Sequence, residues 1–166
     1  MKIDFFNNNC SENSITESIF GICDDENGNK AYTNTTDESK WIARVLNPNN
    51  REILFTAVDN CIVIKKEGTN DDESTCDGML RFLDNINLVE LKNKRANWIL
   101  EAKKQLLNTI KLLGLNHNLD EFKQKKAFAS NKKHPQFVVI SSENKKRFYN
   151  ETNGFILDIN SEITIK

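Results

Sequence analysis

The chain has 166 residues, 28% of them charged and 38% hydrophobic, and a net charge of −1. That length suits one domain with a real core, residues 1–166, and is too short to expect two. The composition is ordinary for a soluble globular protein, no apolar run approaches membrane-spanning length, and the opening MKIDFFNNNCSENS lacks the regions of a signal peptide, so a cytoplasmic protein with no membrane partner is expected.

Charge is unevenly spread. Residues 1–90 carry 8 Lys and Arg against 17 Asp and Glu, while residues 91–166 carry 15 against 7. The acidic half holds the candidate carboxylates, and the basic half is suited to face a polyanion. Cys10, Cys23, Cys61 and Cys76 are widely spaced, and His117 and His134 lie far from them, which is not the close ligand pairing of a zinc site. Free thiols buried as small apolar groups are expected of all four.

In chain order, Lys2–Phe6 reads as a short strand or loose end. Ser14 to Glu17 has the spacing of a capping box and opens a short helix near residues 14–20, with Ile15, Ile19 and Phe20 on one stripe. Residues 24–40 are a polar surface loop. Trp41–Leu46, the turn 47–50 and Glu52–Ile64 form a hairpin, with Asp59-Asn60 marking a bulge or turn inside the second run. Residues 65–75 form a second polar loop.

Residues 76–92 then carry charge inside an apolar pattern. Asp84-Asn85 is a favoured two-residue hairpin turn, because both residues tolerate the left-handed conformation. With that turn, Arg81 faces Leu88, Met79 faces Glu90 and Asp77 faces Lys92. Side chains alternate across a strand, so Asp77, Glu90 and Lys92 share one face and Leu80, Phe82, Val89 and Leu91 the other. Two acids and a lysine converge, at the roughly 5–8 Å spacings of a strand ladder.

Asn93 to Leu113 is the strongest helix signal: Ile99, Ala102, Leu106, Ile110 and Leu113 recur at three and four residues, and Gly114 suits the C-terminal cap. Gln105 lies along the edge of that stripe, toward the strand bearing Lys92. Lys126–Ser130 and Phe137–Ile140 are short strand candidates, Ser142 to Thr152 a helix, and Phe155–Ile159 with Glu162–Ile165 a last hairpin. Strands and helices interleave, so the expected class is mixed α/β, a central mixed sheet flanked by helices.

Asp77, then Glu90-Leu91-Lys92 on an adjacent strand, then a helix carrying Gln105, resembles the PD-(D/E)XK nuclease superfamily. The resemblance covers roughly the middle half of the chain and implies a restriction-endonuclease-like core of helix, three strands, helix and strand. It implies Asp77, Glu90, Lys92 and Gln105 as catalytic residues, and Asp77, Glu90, the Leu91 carbonyl and an acid from the first helix, Glu17, as ligands of Mg²⁺ or Mn²⁺. Asp59 competes with Glu17 as the third acid, and Glu17 also reads as the cap partner of Ser14. Cysteine at position 76 stands where the pattern has proline.

Such a site hydrolyses phosphodiester bonds. The reaction needs a nucleophilic water and relief of the charge growing on the phosphoryl oxygens, to which hard oxygen ligands, a divalent ion and a compact cation are suited. DNA is the preferred substrate over RNA, lying against Lys123, Lys125, Lys126, Lys132, Lys133, Lys145, Lys146 and Arg147. A dimer mate or partner subunit for targeting, in nucleic-acid defence or repair, is implied by family analogy. The rival expectation is a non-catalytic interaction module of the same fold.

Overall fold

The computed structural model describes residues 3–6 and 8–166. Among them the chain forms nine strands and two α-helices: β1 (Ile19–Cys23), β2 (Tyr32–Asn34), β3 (Ala43–Leu46), β4 (Leu54–Ala57), β5 (Gly78–Phe82), β6 (Asn85–Lys92), α1 (Trp98–Asn116), β7 (Gln124–Asn131), α2 (Ser142–Glu151), β8 (Ile156–Ile159) and β9 (Glu162–Thr164). The class is mixed α/β, as expected.

The strands make two sheets. A five-stranded sheet runs β4-β5-β6-β7-β8, its first three strands antiparallel and β6, β7 and β8 parallel. A four-stranded sheet runs β2-β1-β3-β9, with β3 and β9 parallel. The larger sheet is covered on both faces. Ile86, Leu88 and Met79 pack against Ala102, Leu106, Ile110 and Leu113 of α1 and Phe148 of α2, whereas Phe55, Leu80, Val89, Leu91 and Phe128 pack against Phe20, Ile22, Val45 and Ile163 of the smaller sheet. Both helices thus lie on one face, and the flanking layer on the other is a sheet. This explains why β6, with apolar residues on both faces, is buried from Ile86 to Lys92.

Several elements differ from expectation for identifiable reasons. Residues 14–17 are not helical, since Glu12 and Ile15 give their amides to the Phe55 and Ile53 carbonyls and the segment lies along the open edge of β4. Covering that edge outweighs the local capping signal. Of the expected strand Lys2–Phe6, Lys2 lies outside the described residues, and the Ile3 and Phe5 amides bond the Asn116 and His117 side chains instead of a strand. The long run Glu52–Ile64 yields only β4, ended by a turn in which Asn60 has φ 62°. Both expected outer hairpins open, because β3 and β9 join the smaller sheet while β4 and β8 join the larger. Phe137–Ile140 is not a strand, only Val138 bridging to Ile159, and residues 24–40 contain β2.

Cys10 and Cys61 are joined by a disulfide, with Cα atoms 5.9 Å apart, while Cys23 and Cys76 are free and buried. The expectation of four free thiols fails there because the fold brings residues 8–10 beside the turn after β4.

Candidate active site

The β5–β6 hairpin turns at Leu83-Asp84, with Phe82 opposite Asn85 and Gly78 opposite Val89. Asn85 is drawn into β6 by pairing on both sides, with Phe82 and with Gln124 of β7. The turn has therefore moved one residue from its expected place, and every cross-strand partner moves by two. Because strand side chains repeat every two residues, the faces survive. Asp77 now stands opposite Glu90 instead of Lys92, and all three side chains remain beneath α1.

Lys92 is the centre of the cluster. Its Nζ lies 3.1 Å from Glu90 Oε2, 2.9 Å from Glu101 Oε1 and 2.6 Å from Gln105 Oε1. Gln105 in turn donates through Nε2 to the Thr75 carbonyl at 3.3 Å, tying α1 to the entry of β5. Asp77 Oδ2 accepts the Leu91 amide at 2.7 Å, and the Asp77 carbonyl accepts the Val58 amide at 2.9 Å. The Cys76 amide donates to Thr109 Oγ1 of α1 at 2.7 Å. Both strands and the helix are thereby locked around the charged groups.

Glu90 is 2% exposed, and its Oε1 is buried with no hydrogen-bond partner among the described residues. Burial drives its pKa well up, and the neighbouring Asp77 adds to the rise against the pull of Lys92. Burial likewise lifts Asp77 to about 7, partly offset by the Leu91 amide and by hydrogen bonding with Glu90. The two carboxyl groups are thus coupled and retain a proton near neutrality. Burial opposes the charge of Lys92, but the Glu90 and Glu101 carboxylates outweigh it and its pKa rises.

Asp77, Glu90, Lys92 and Gln105 are brought together. Glu17 is not: it is exposed, its carbonyl accepts from Asn47, and it lies beyond Ile15, which pairs with Ile53 at the end of β4 remote from Asp77. The missing first helix removes the means of carrying it to the site. Asp59 lies at the correct end, its amide on the Cys76 carbonyl and its charge, with that of Asp24, felt by Asp77. Of Leu91, it is the amide that contacts Asp77.

The basic residues do not form one surface. Lys123, 3.6 Å from Asp84, with Lys125 and Lys126, sits at the start of β7, at the hairpin-turn end of the sheet. Lys132 and Lys133 follow β7 at the opposite end, where the Lys132 amide bonds the Lys92 carbonyl. Lys145, Lys146 and Arg147 are exposed on α2, and Arg147 pairs with Glu143 at 3.6 Å.

Glu101 and Asn131 were missed by sequence reading. Glu101 had a signal, since it precedes Gln105 by four residues and so shares its helix face. Asn131 had none. It is fully buried, accepts the Lys94 and Lys133 amides and donates to the Lys94 carbonyl, holding the loops after β6 and β7 together beside Lys92.

Among the described residues no group of three or more His, Cys, Asp or Glu is gathered tightly enough to enclose a metal. Two adjacent carboxyl groups with one unpartnered buried oxygen nevertheless fit a hard cation that keeps several of its waters, as Mg²⁺ does. Compared with known proteins, the chain matches no family model, no curated protein and no solved structure. The functional reading therefore stands on the site itself.

Proposed function

We propose that the chain is a metal-dependent nuclease of the PD-(D/E)XK type, hydrolysing phosphodiester bonds in DNA or RNA with Mg²⁺ or Mn²⁺, and acting with a dimer mate or partner subunit in nucleic-acid defence or repair. The observation that carries the reading is the unpartnered, fully buried Oε1 of Glu90 beside Asp77, on the face where Lys92 and Gln105 also converge. A buried carboxylate oxygen without a partner costs roughly 1–3 kcal/mol, and more when charged; in the metal-free protein a proton held between Glu90 and Asp77 relieves that cost, and a divalent cation would take the proton's place. Further support comes from the order of three antiparallel strands, a helix and a parallel strand, β4-β5-β6-α1-β7. The departure is at the start, where an extended segment replaces the first helix.

Asp77 and Glu90 would hold the ion through the oxygens that otherwise share a proton, and Asp59 is better situated than Glu17 to assist. When bound, the ion supplies Lewis-acid polarisation of the phosphate and a lowered water pKa. Once one of its three acceptors gives way, Lys92 would donate to the attacking water or to a phosphoryl oxygen, where its positive charge offsets developing negative charge. Gln105 keeps that ammonium group under α1, anchored through Thr75. Lys94, Arg95 and Lys133, in the loops after β6 and β7, are available for phosphate contacts, which confer affinity without sequence choice, while the Lys132 ammonium is taken by the Ser39 carbonyl.

The test is cleavage of DNA and RNA by purified protein with Mg²⁺ or Mn²⁺, repeated with Glu90→Gln and Lys92→Met. Cleavage by the wild type and its loss in both variants is expected; wild-type inactivity, or equal activity in the variants, overturns the reading. A non-catalytic module of the same fold is the second reading, favoured by the closed ammonium network in which Lys92 already has three acceptors. Absence of metal-dependent cleavage together with retained polyanion binding would select it.

A further inference from the structure

An ammonium group has three N–H donors, and all three of Lys92 are engaged, by Glu90, Glu101 and Gln105. Two of these acceptors are fixed. Glu90 is buried on the central strand β6, and Gln105 is anchored to Thr75. Glu101 differs, with its side chain 47% exposed in the first turn of α1. It is also pinched between two cations, because Lys94 Nζ lies 2.9 Å from its Oε2 and 3.2 Å from its Oε1.

A carboxylate held by two ammonium groups, one of them nine-tenths buried, presents the charge and acceptor layout of two non-bridging phosphate oxygens. We propose that Lys92 and Lys94 form a phosphate subsite and that the Glu101 carboxylate fills it as an internal stand-in, which a phosphate group of the ligand displaces. That the phosphate belongs to a nucleic-acid backbone rests on the nuclease reading. The subsite itself does not require cleavage.

Displacement is needed because Lys92 has no free donor and because a phosphate beside Glu101 would face a like charge. Leaving costs Glu101 only part of its cover, because its side chain is already 47% exposed. Beside it opens a cleft of about 470 Å³ lined by Lys66, Glu73, Lys104, Gln105 and Asn108, where Lys66 and Lys104 can receive the displaced carboxylate and Glu73 is itself engaged by the Asn108 amide at 2.9 Å. Glu101 therefore tunes affinity, keeping Lys92 occupied until a phosphate arrives.

The test is binding without turnover: fluorescence anisotropy of a short labelled DNA strand, in EDTA, with inorganic phosphate as competitor. Glu101→Gln is expected to tighten binding roughly tenfold over the wild type, since it removes an internal competitor of like charge. Adding Lys94→Gln to that variant is expected to cancel the gain. Glu52→Gln, the same charge change at an exposed position with no place in the cluster, is expected to leave affinity nearly unchanged. Unchanged or weaker binding by Glu101→Gln, an undiminished gain in the double variant, or an equal gain from Glu52→Gln overturns the proposal. Melting curves confirm folding of each variant. Tightening in a protein that never cleaves would sustain the subsite and sink the nuclease reading, whereas cleavage without tightening would do the reverse.

Discussion

Glu90 and Asp77 are acids kept under a helix at a cost, and their environment makes that cost depend on pH. Asp77 has its pKa raised to about 7, against roughly 3.9 in an unfolded chain. The folded state therefore binds the extra proton between those values, and its stability falls as pH rises through that window. Thermal melts of the metal-free protein should show a Tm that declines from about pH 4 to about pH 7, and Asp77→Asn should flatten the decline. A divalent ion needs both carboxylates ionised, so Mn²⁺ binding should release protons and tighten with rising pH, measurable by calorimetry in buffers of different ionisation enthalpy. Glu90→Gln should abolish metal binding while raising the Tm of the metal-free protein at neutral pH, because a buried carboxyl in forced contact with Asp77 is replaced by a neutral amide. A lower Tm in that variant would mean Glu90 serves the fold.

At the scale of elements, the site depends on how closely β4 and β5 approach. Gly78 follows Asp77, and a Cβ there would meet the Phe55 ring at 2.5 Å. Gly78→Ala should cost about 1–3 kcal/mol in denaturant unfolding, and should also displace Asp77 enough to weaken Mn²⁺ binding. The start of α1 carries a different constraint. Asn97, just before the helix, has φ 57° and caps with no side-chain hydrogen bond, so Asn97→Gly should be tolerated while Asn97→Ala loses about 1 kcal/mol. The expected helix began at Asn93 and ended before Gly114. It actually begins at Trp98, because Asn131 holds the Lys94 backbone in a loop, and runs through Gly114 to Asn116. An asparagine on another strand, not visible in local periodicity, decides that boundary.

For the whole molecule, the disulfide ties the segment along the β4 edge to the turn after β4, across 51 residues. Reduction, or Cys10→Ser with Cys61→Ser, should lower stability by roughly 2–4 kcal/mol, read as a shift in denaturant midpoint. The turn it secures also bonds the Asp77 and Cys76 carbonyls through the Val58 and Asp59 amides, so metal affinity should fall with it.

The sequence by itself determined the mixed α/β class, the hairpin, the long helix after it and the common face of Asp77, Glu90 and Lys92. Those features follow from side-chain periods of two and 3.6, which are local and survive even when the turn shifts by one residue. Gln105 was legible for the same reason, and Glu101 was within reach. Only the tertiary structure decided that residues 14–17 run extended along β4, that the apparent outer hairpins divide between two sheets, that Cys10 meets Cys61, and that Glu17 lies away from the carboxylates while Asp59 lies near them. Each of these depends on which distant backbone donor or sheet edge remains unsatisfied, a quantity that no stretch of neighbouring residues contains.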